Sequence, residues 1–411
     1  QEYRKKDCVI LYFIGLTESY EGEGYDRKNL KIPQNQEELL AEIAETVGRD
    51  HIAAISFGGA PMDFSFEKNV GAILHMYLGG QAVGESVADL ISGEVNPSGK
   101  LAETIPFSEK DTPAWRYFAP PNDDVEYRES IFVGYRYYET FHVPVKYPFG
   151  YGLSYTSFSY SELNVPEVYS GGKIQIGFKI KNIGKVSGAE IAQLYVCPNE
   201  SDVIRSHIEL KGFQKIYLHP GEEKEVILEL DERSFSVYDV EKKAFSMLSG
   251  KYQICIGASV HDLQLKANME VVGNSYFRNE RELFSDYFRE QPHGMEISAE
   301  QFYQLLGGEP KHDKEKKRGE YTVYDSYQDV VNVSMFGKFV RGVVHIGLKI
   351  ILRGKSERDP AFKMVKMGVE EGNLEGLIAT SGGIATPKLI DMLVYNANKK
   401  YLQAFKRLLK K

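Results

Sequence analysis

The sequence is poor in cysteine and in long apolar runs, and each shortage excludes a class of protein. Its three cysteines, Cys8, Cys197 and Cys255, lie far apart along the chain, which argues against both a disulfide framework and a zinc site and predicts reduced thiols. No apolar run reaches the roughly 18 to 20 residues of a membrane-spanning helix. The nine histidines show no paired metal-binding spacing. We therefore expect neither a metal nor an organic cofactor.

The chain also lacks an excess of positive charge, except at its C-terminal end. Its formal net charge is -8 over 411 residues, which gives no reason to expect nucleic acid as a partner. Residues 321–411 nevertheless hold 15 Lys and Arg against 8 Asp and Glu, an excess of +7 that leaves -15 for the remainder. No signal peptide is visible, which slightly favours the cytoplasm, but we expect the true N-terminus to lie upstream of Gln1.

Strand-like and helical patterns alternate in the first part of the chain. Continuous apolar runs of strand length occupy residues 7–15, 51–59 and 72–80, and helical spacing marks residues 34–48 and 81–91. Such runs predict strands buried on both faces, and their order predicts a doubly wound parallel sheet. Only about three parallel strands can be found, so we expect the second half of a larger sheet.

Four regions follow from these patterns: an α/β region with an aromatic linker at 1–160, a β-sandwich at 161–273, a charged linker at 274–320 and a helical basic tail at 321–411. The fold class is thus α/β plus all-β, with short alternating strands and Pro-Gly turns marking the sandwich. We expect the linker's aromatic stretches to be extended chain packed over a surface. In the tail, Thr386-Pro387 predicts a helix start. One apolar stripe follows it, formed by Ile390, Leu393, Ala397, Tyr401, Ala404 and Leu408.

The loop EGEGYDRKNL, residues 21–30, places charged side chains directly after the first predicted strand. They are Glu21, Glu23, Asp26 and Arg27. From spacing alone, a solvated connection between strand and helix is as good an interpretation as a functional loop. Ligands of parallel sheets bind at the carboxyl ends of strands, where Glu23, the turn 58–61 and Gly79-Gly80 would lie together. A carboxyl group held near apolar walls there can act as the general acid of glycoside cleavage.

Several longer stretches share one further pattern. They are EGEGYDRKNLKIPQNQEELL, ISFGGAPMDF, AILHMYLGGQAVGESVADLISGEVNPSGKLAETIPF, YRESIFVGYRYYE and YPFGYGLSYTSFSY. They resemble glycoside hydrolase family 3, the β-glucosidase family. FKIKNIGKVSGAEIAQLYVC, ELKGFQKIYLHPGE and GKYQICIGAS resemble the fibronectin type III-like domain of the same enzymes. The likeness runs colinearly from about Asp7 to Val272, and NPSGKL and PFGYGLSYT are its most specific motifs.

The resemblance implies a retaining β-glycosidase that acts on a β-linked glucoside or oligosaccharide. In that family an Asp nucleophile lies on a preceding barrel domain, and the acid/base Glu directly precedes Gly-Tyr-Asp-Arg, which makes Glu23 the candidate and Glu21 the alternative. Asp26 and Arg27 would form an ion pair that shapes the loop. The sequence departs from the family because it contains no barrel or nucleophile segment. We therefore expect half an active site, with the missing barrel domain as partner.

Two other classes of function remain alternatives. GGQAVGESVADL, with Glu103 about 20 residues further on, loosely imitates a dinucleotide-binding loop, but its glycines miss the G-x-G-x-x-G spacing. The chain could instead be a non-catalytic carbohydrate-binding or interaction module that lacks the nucleophile domain. Trp115 could stack on a sugar ring, although a lone tryptophan in a Pro-rich loop is more often a packing residue.

Residues 335–353 predict a basic amphipathic helix. Its basic stripe is Lys338, Arg341, His345, Lys349 and Arg353, and its apolar stripe is Phe339, Val343, Ile346 and Ile350. A helix of this kind can lie on an anionic membrane surface. Packing against the rest of its own protein is the commoner role, and we favour it here.

Overall fold

The computed structural model describes residues 8–18, 20–22, 26–118, 125–273, 279–310, 316–352 and 359–409. The chain divides into two compact units. The first comprises Gln1–Ile14 and Asn29–Pro310, and the second comprises Gly15–Lys28 and Lys311–Lys411.

An α/β region opens the first unit. Its elements, in chain order, are β1 (Ile10–Gly15), α1 (Gln34–Val47), β2 (Ile52–Phe57), β3 (Ala72–His75) and α2 (Val83–Ser92). The strands form one sheet in the order β1-β2-β3, with β2 and β3 parallel. Gly48 ends α1 with φ +88°, a backbone conformation that favours glycine. The predicted parallel α/β sheet is confirmed.

Strand β1 differs from its prediction, because it is buried on one face only. Ile14 is 1% exposed, whereas Leu11 and Phe13 are 41% and 57% exposed. The hydroxyl of Tyr12 donates to the carbonyl oxygen of Gln36 in α1 at 2.8 Å, so α1 covers the other face. Side chains alternate across a strand, and a helix on one side therefore leaves every second apolar residue of this edge strand uncovered.

The aromatic linker contains regular structure. Its elements are β4 (Ile105–Pro106), α3 (Tyr135–Thr140) and β5 (Val145–Tyr147), and β4 pairs antiparallel with β5. The stretch YRESIFVGYRYYE was predicted to be extended, but its second half forms α3, which buries Tyr137 and Tyr138. Burial of these rings in an aromatic core outweighs the tendency of the flanking prolines and glycines to keep the chain irregular.

The sandwich follows at β6 (Phe158–Asn164), β7 (Val168–Tyr169), β8 (Ile174–Asn182), β9 (Gly188–Pro198), β10 (Glu209–Leu218), β11 (Glu223–Leu230), β12 (Ser236–Asp239), β13 (Ala244–Met247), β14 (Gly250–Gly257) and β15 (Leu263–Val271). One sheet has the order β10-β9-β14-β15-β7, the other has the order β11-β8-β6, and β12 and β13 form a hairpin. Alternate residues of both sheets, including Phe178, Leu194 and Ile254, meet in a core, and Phe235 from the turn before β12 packs into it. The predicted β-sandwich is confirmed.

Two cysteines that are 58 residues apart in sequence lie together in this sandwich. The Sγ atoms of Cys197 on β9 and Cys255 on β14 are 3.9 Å apart, and both thiols are free. Sequence spacing could not reveal this proximity, because it arises from the antiparallel pairing of β9 with β14.

The segment predicted as a charged linker is folded where the structure describes it. It contains α4 (Glu280–Leu283) and α5 (Ala299–Leu306). Its apolar side chains, including Phe284, Tyr287 and Phe302, complete one core with the aromatic residues around α3. The hydroxyl of Tyr137 donates to the carbonyl oxygen of Gln291 at 2.6 Å. This segment therefore covers the aromatic linker.

The tail in the second unit is helical, as predicted. Its helices are α6 (Tyr327–Asn332), α7 (Met335–Ile351), α8 (Pro360–Glu370), α9 (Leu374–Thr380), α10 (Pro387–Ala397) and α11 (Tyr401–Leu409). Thr386 caps α10, with its hydroxyl oxygen accepting from the backbone N–H of Leu389 at 3.2 Å. None of the helices in these described ranges is both long and apolar enough to cross a membrane.

The stripe predicted to run along the last helix is divided between two helices. Ile390, Leu393 and Ala397 of α10 are buried, and so is Ala404 of α11. Tyr401 and Leu408, however, are 56% and 49% exposed. The break comes at Lys399, whose φ of +59° lies in the left-handed region. Beyond it the chain takes a new direction, so the helical spacing no longer keeps all six side chains on one face.

Candidate active site

The loop after β1 begins with a turn that ends at Glu21. The backbone N–H groups of Tyr20 and Glu21 donate to the carbonyl oxygen of Thr17 at 2.7 Å and 3.0 Å. Glu21 is half-buried at the end of this turn. The acidic loop therefore has a defined backbone at its entry.

The second half of the loop contains Asp26 and Arg27, whose ion pair remains a prediction. Asp26 is exposed, whereas Arg27 is half-buried. Burial lowers the pKa of Arg27, and the Glu21 carboxylate opposes that shift by raising it. The structure thus brings together Glu21 and Arg27, two of the predicted site residues. Because Arg27 stays protonated at any physiological pH, it places a positive charge beside this carboxylate.

The main candidate, Glu23, lies outside the described residues, together with Gly24 and Tyr25. Its role as general acid/base, like the roles of Asp26 and Arg27, remains a prediction.

The carboxyl ends of β2 and β3 lie side by side, as the sequence predicts for a parallel sheet. The backbone N–H of Gly58 donates to the carbonyl oxygen of Tyr77 at 3.3 Å, and that of Met76 donates to the carbonyl oxygen of Ser56 at 2.8 Å. After β3, a Cβ atom on Gly79 would lie 2.4 Å from Val83 Cγ2. Only glycine therefore allows the chain to turn so closely into α2.

A cluster of polar groups, of which Ser56 is buried and His75, Tyr77 and Glu103 are half-buried, occupies this edge of the sheet. Sequence analysis did not predict that these residues lie together. Ser56 Oγ and His75 Nδ1 are hydrogen-bonded at 2.9 Å, and the rings of His75 and Tyr77 lie 4.1 Å apart. Burial lowers the pKa of His75, so its imidazole is neutral at physiological pH. Burial, and after it the charge of Glu103, raises the pKa of Tyr77. The only sequence signal was a histidine and a tyrosine two residues apart at a strand end.

Glu103 is a half-buried carboxyl group beside Tyr77. Burial raises the pKa of its carboxyl group, and the neighbouring Tyr77 opposes this shift. Sequence analysis considered Glu103 only as a mimic of a ribose-binding carboxylate. Its position beside Tyr77 makes it instead a second carboxyl group to test as an acid.

A second polar cluster ties the α/β region to β5. Glu67 accepts hydrogen bonds from the ammonium of Lys146 and from the hydroxyl of Tyr147, the latter at 2.6 Å. Burial raises the pKa of Glu67, but these two hydrogen bonds more than compensate and hold it below its ordinary value. Both of its partners lie on a short strand of the linker. The cluster therefore stabilises the contact between the α/β region and β5, and it keeps Glu67 ionised.

The NPSGKL motif, residues 96–101, joins the α/β region to the sandwich through a buried ion pair. Lys100 Nζ lies 3.0 Å from Glu190 Oε1 on β9, and the two side chains are only 12% and 8% exposed. The same ammonium donates to the carbonyl oxygen of Gly152 at 3.1 Å. A Cβ atom on Gly152 would lie 2.3 Å from the carbonyl oxygen of Gly99, so the two segments can meet this closely only because Gly152 has no side chain.

The first residue of the motif, Asn96, makes the second set of contacts at this joint. Its side-chain oxygen accepts from the backbone N–H of Tyr155 at 2.9 Å and from Ser154 Oγ at 3.2 Å. Its side-chain nitrogen donates to the carbonyl oxygen of Ser187 at 3.1 Å. The two most specific motifs of the sequence, NPSGKL and PFGYGLSYT, thus bind each other and connect two domains.

Comparisons with known proteins agree with this architecture. The family profile of the glycosyl hydrolase family 3 C-terminal domain matches residues 1–155, and that of the fibronectin type III-like domain matches residues 190–260. The thermostable β-glucosidase B of Acetivibrio thermocellus is 44% identical over 265 residues, which cover 64% of this chain and 35% of the relative. An exo-α-(1→6)-L-arabinopyranosidase of Bifidobacterium breve is 37% identical over 273 residues, which cover 66% of this chain and 36% of the relative.

Solved structures show the same relationship. The GH3 β-glucosidase of Bifidobacterium adolescentis superposes with a TM-score of 0.64 at 37% identity, covering 67% of this chain and 40% of that one. The β-glucosidase of Kluyveromyces marxianus in complex with glucose gives 0.60 at 35% identity, covering 64% and 32%. The chain spans about a third of the length of the curated relatives named above. These matches confirm the predicted family resemblance, and residues 321–411 lie outside both matched profile ranges.

Other site chemistries find less support in the geometry. The loop between β3 and α2 resembles a dinucleotide loop only in its glycine content, and the carboxyl group of Glu103 is half-buried beside Tyr77. Within the described ranges, no group of three or more His, Cys, Asp or Glu side chains could hold a metal ion. Trp115 is 42% exposed. Its stacking on a sugar ring remains a prediction.

Proposed function

We propose that this chain, the C-terminal region of a glycosyl hydrolase family 3 protein, supplies the general acid/base of a retaining β-glycosidase. One observation carries the proposal: the family match over residues 1–155 includes the loop EGEGYDR directly after β1. A loop after a strand of a parallel sheet is where such folds bind their ligands. The proposed substrate is a β-linked glucoside or oligosaccharide, since four of the similar structures contain glucose.

The proposed reaction uses two carboxyl groups, one as the general acid/base and one as the nucleophile. Glu23 donates a proton to the glycosidic oxygen while an Asp of a barrel domain, about 5 Å away, attacks the anomeric carbon. Glu23 then removes a proton from the water molecule that hydrolyses the covalent intermediate. The barrel and its nucleophile belong to the proposal, because the chain spans only about a third of its curated relatives.

The contacts around Arg27 suggest how the loop would support this reaction. Arg27 is half-buried and near Glu21, so this pair, two residues on one side of Glu23 and four on the other, would brace the loop. Asp26 is exposed and would contribute to the loop's solvation. Glu21 thus becomes a positioning residue in the proposal, with Glu23 as the acid.

Glu23→Gln, in the protein that carries both this chain and a barrel domain, tests the proposal most directly. Loss of the acid should lower kcat/KM for an unactivated substrate such as cellobiose about 10²- to 10⁴-fold. Hydrolysis of 2,4-dinitrophenyl β-glucoside should suffer far less at the first step, because that leaving group needs no proton. The alkaline limb of the pH profile should also disappear.

Two matched variants distinguish Glu23 from the other carboxylates of the region. Glu21→Gln and Glu103→Gln each remove one charge and keep the side-chain shape, and neither should separate the two substrates. If Glu103→Gln or Glu21→Gln produced the leaving-group dependence instead, the assignment would pass to that residue. A protein that binds glucose but hydrolyses neither substrate would favour the alternative, a non-catalytic carbohydrate-binding module.

The nature of the sugar needs a separate test, since relatives with two activities match the chain. One relative is a β-glucosidase at 44% identity, and another is an arabinopyranosidase at 37% identity. We expect a higher kcat/KM for p-nitrophenyl β-D-glucopyranoside than for p-nitrophenyl α-L-arabinopyranoside. The opposite order would leave the acid/base role intact but reject the glucoside.

A further inference from the structure

Helix α7 has two apolar sides, and only one of them is buried. Val340 is 7% exposed in the core of the tail, where Phe336 and Val344 pack beside it. The other side forms the α7 stripe, whose members recur every three or four residues and so share one face. The α7 stripe consists of Met335, Phe339, Val343, Ile346 and Ile350, which are 83%, 67%, 54%, 60% and 68% exposed.

A basic flank runs beside the α7 stripe. It consists of Lys338, Arg341, His345 and Lys349, which are all exposed. With 3.6 residues per turn, Lys338 and Lys349 lie on the side of this flank nearest the stripe. Neither lysine forms an ion pair with another residue of the described ranges, and α7 contains no Asp or Glu. The positive charge beside the stripe is therefore not neutralised within the helix.

The expectation that this stripe packs on its own protein is not met by the described residues. Packing uses the side of α7 that carries Phe336, Val340 and Val344, and the large apolar residues of the stripe face solvent. An exposed apolar stripe of this size marks an interaction surface. A second copy of the chain would bring a second row of the same positive charges, which repel. The combination of an apolar stripe with lysines that no described residue neutralises fits an anionic lipid surface better.

We propose that α7 binds an anionic lipid bilayer and lies in the plane of its surface. The α7 stripe enters the boundary between headgroups and acyl chains, while Lys338 and Lys349 contact the lipid phosphates. The helix has 17 residues, or about 25 Å at 1.5 Å per residue, and would lie on the bilayer without crossing it. This role is independent of catalysis, since it uses a region outside both matched family domains.

Co-sedimentation of the whole 411-residue chain with vesicles tests this proposal. We expect binding to phosphatidylcholine vesicles that contain about a quarter phosphatidylglycerol, and at least about tenfold weaker binding to phosphatidylcholine alone. Binding should weaken as salt rises from about 0.1 M to about 0.5 M, because the Debye length falls. Equal binding to both vesicle types, or to neither, would overturn the proposal.

Two paired variants separate the contributions of the stripe and the flank. Phe339→Ser/Ile346→Ser should weaken binding at least about tenfold, since two large apolar side chains no longer leave water. Its matched control is Phe213→Ser/Ile227→Ser in the sandwich, where the same residue types are 67% and 50% exposed. Lys338→Gln/Lys349→Gln should weaken binding by a similar factor. The exposed sandwich lysines in Lys215→Gln/Lys251→Gln provide the control for net charge.

Circular dichroism must show that each variant keeps its helix content, so that lost binding reports the surface and not unfolding. Controls that weaken binding as much as the α7 variants would overturn the proposal. Sedimentation equilibrium supplies the last check: a dimer of the unsubstituted chain that Phe339→Ser/Ile346→Ser dissociates would show that the α7 stripe binds a second copy instead of lipid.

Discussion

The sandwich and the α/β region of the first unit bury similar apolar residues to very different extents. In the sandwich, two sheets face each other and bury large side chains such as Phe178 and Phe235, which are 1% and 0% exposed. In the α/β region, α1 packs on one face of β1, and Leu11 and Phe13 on the other face are 41% and 57% exposed. The sandwich therefore buries its apolar residues between its own two sheets, whereas the sheet of the α/β region leaves one face of β1 exposed.

Because of this contrast, an apolar residue contributes differently to stability in the two regions. An apolar residue in the sandwich stabilises the domain that contains it, because its surface leaves water within that domain. The same residue on the open face of β1 contributes little until another surface covers it. In our proposal that open face belongs to the half of the fold that works together with a barrel domain.

The largest expected effect comes from truncating one phenylalanine in each region. Phe178→Ala should lower the free energy of unfolding of the sandwich by about 3 to 5 kcal/mol, because it leaves a cavity in a closed core. Phe13→Ala should change it by less than about 1 kcal/mol, since Phe13 is 57% exposed. Differential scanning calorimetry measures both. Equal losses would mean that the outer face of β1 is covered, and the contrast would fail.

The second effect concerns the joint between the two regions. Lys100→Met leaves the carboxylate of Glu190, whose side chain is 8% exposed, buried without its cation, which should destabilise the fold by about 3 kcal/mol. Lys173→Met removes the partner of Glu229 from an ion pair that is exposed on both sides and should have no measurable effect. Urea unfolding compares the two variants.

A double variant tests the cause of that loss. Lys100→Met/Glu190→Gln removes both charges and should recover part of the stability lost in Lys100→Met, because the unpaired carboxylate is gone. If the double variant were no more stable than Lys100→Met, the contact with Gly152 and not the ion pair would hold the joint.

The smallest effect depends on pH and lies in the α/β region. The hydrogen bonds from Lys146 and Tyr147 outweigh burial and lower the pKa of Glu67. A lowered carboxyl pKa contributes stability that is present above the unfolded-state pKa of about 4.3 and is lost as pH falls through the folded-state pKa. Because the Glu67 side chain is 37% exposed, solvent screening should limit this contribution to about 0.5 kcal/mol.

Glu67→Gln should therefore be slightly less stable than the unsubstituted chain at pH 7 and equally stable near pH 3, as measured by thermal unfolding. The same substitution in a Lys146→Met background should show a smaller difference at pH 7, since one of the two hydrogen bonds is already absent. A difference that grew as pH fell would contradict the direction of the pKa shift.

Sequence patterns predicted whether a segment is a helix or a strand better than they predicted which distant residues pack against it. The helix at Gln34–Val47 and the cap at Thr386 follow from local spacing and turn chemistry. The helix α3 was not predicted, because its stability comes from an aromatic core shared with residues some 150 positions later, such as Phe284 and Tyr287. Local propensity carries no information about a partner so distant in sequence.

The candidate site was predictable only in part, for a similar reason. The acidic loop could be located by its position after a strand, and the family resemblance selected Glu23 within it. The half-buried group of His75, Tyr77 and Glu103 could not be located, because it depends on which side chains folding brings together and partly shields from water at this edge of the sheet. The Asp26–Arg27 ion pair stays a prediction.

By itself the sequence determined the order of the α/β, sandwich and helical regions, because the periods of apolar residues and the positions of Gly and Pro are local properties. The tertiary structure alone decided which apolar faces are closed: the sandwich core is buried, whereas the outer face of β1 and the α7 stripe are open to solvent. It also decided that NPSGKL and PFGYGLSYT serve as a joint between domains, with Lys100 and Glu190 paired at its centre. Burial and pairing depend on residues distant in sequence that only folding brings together.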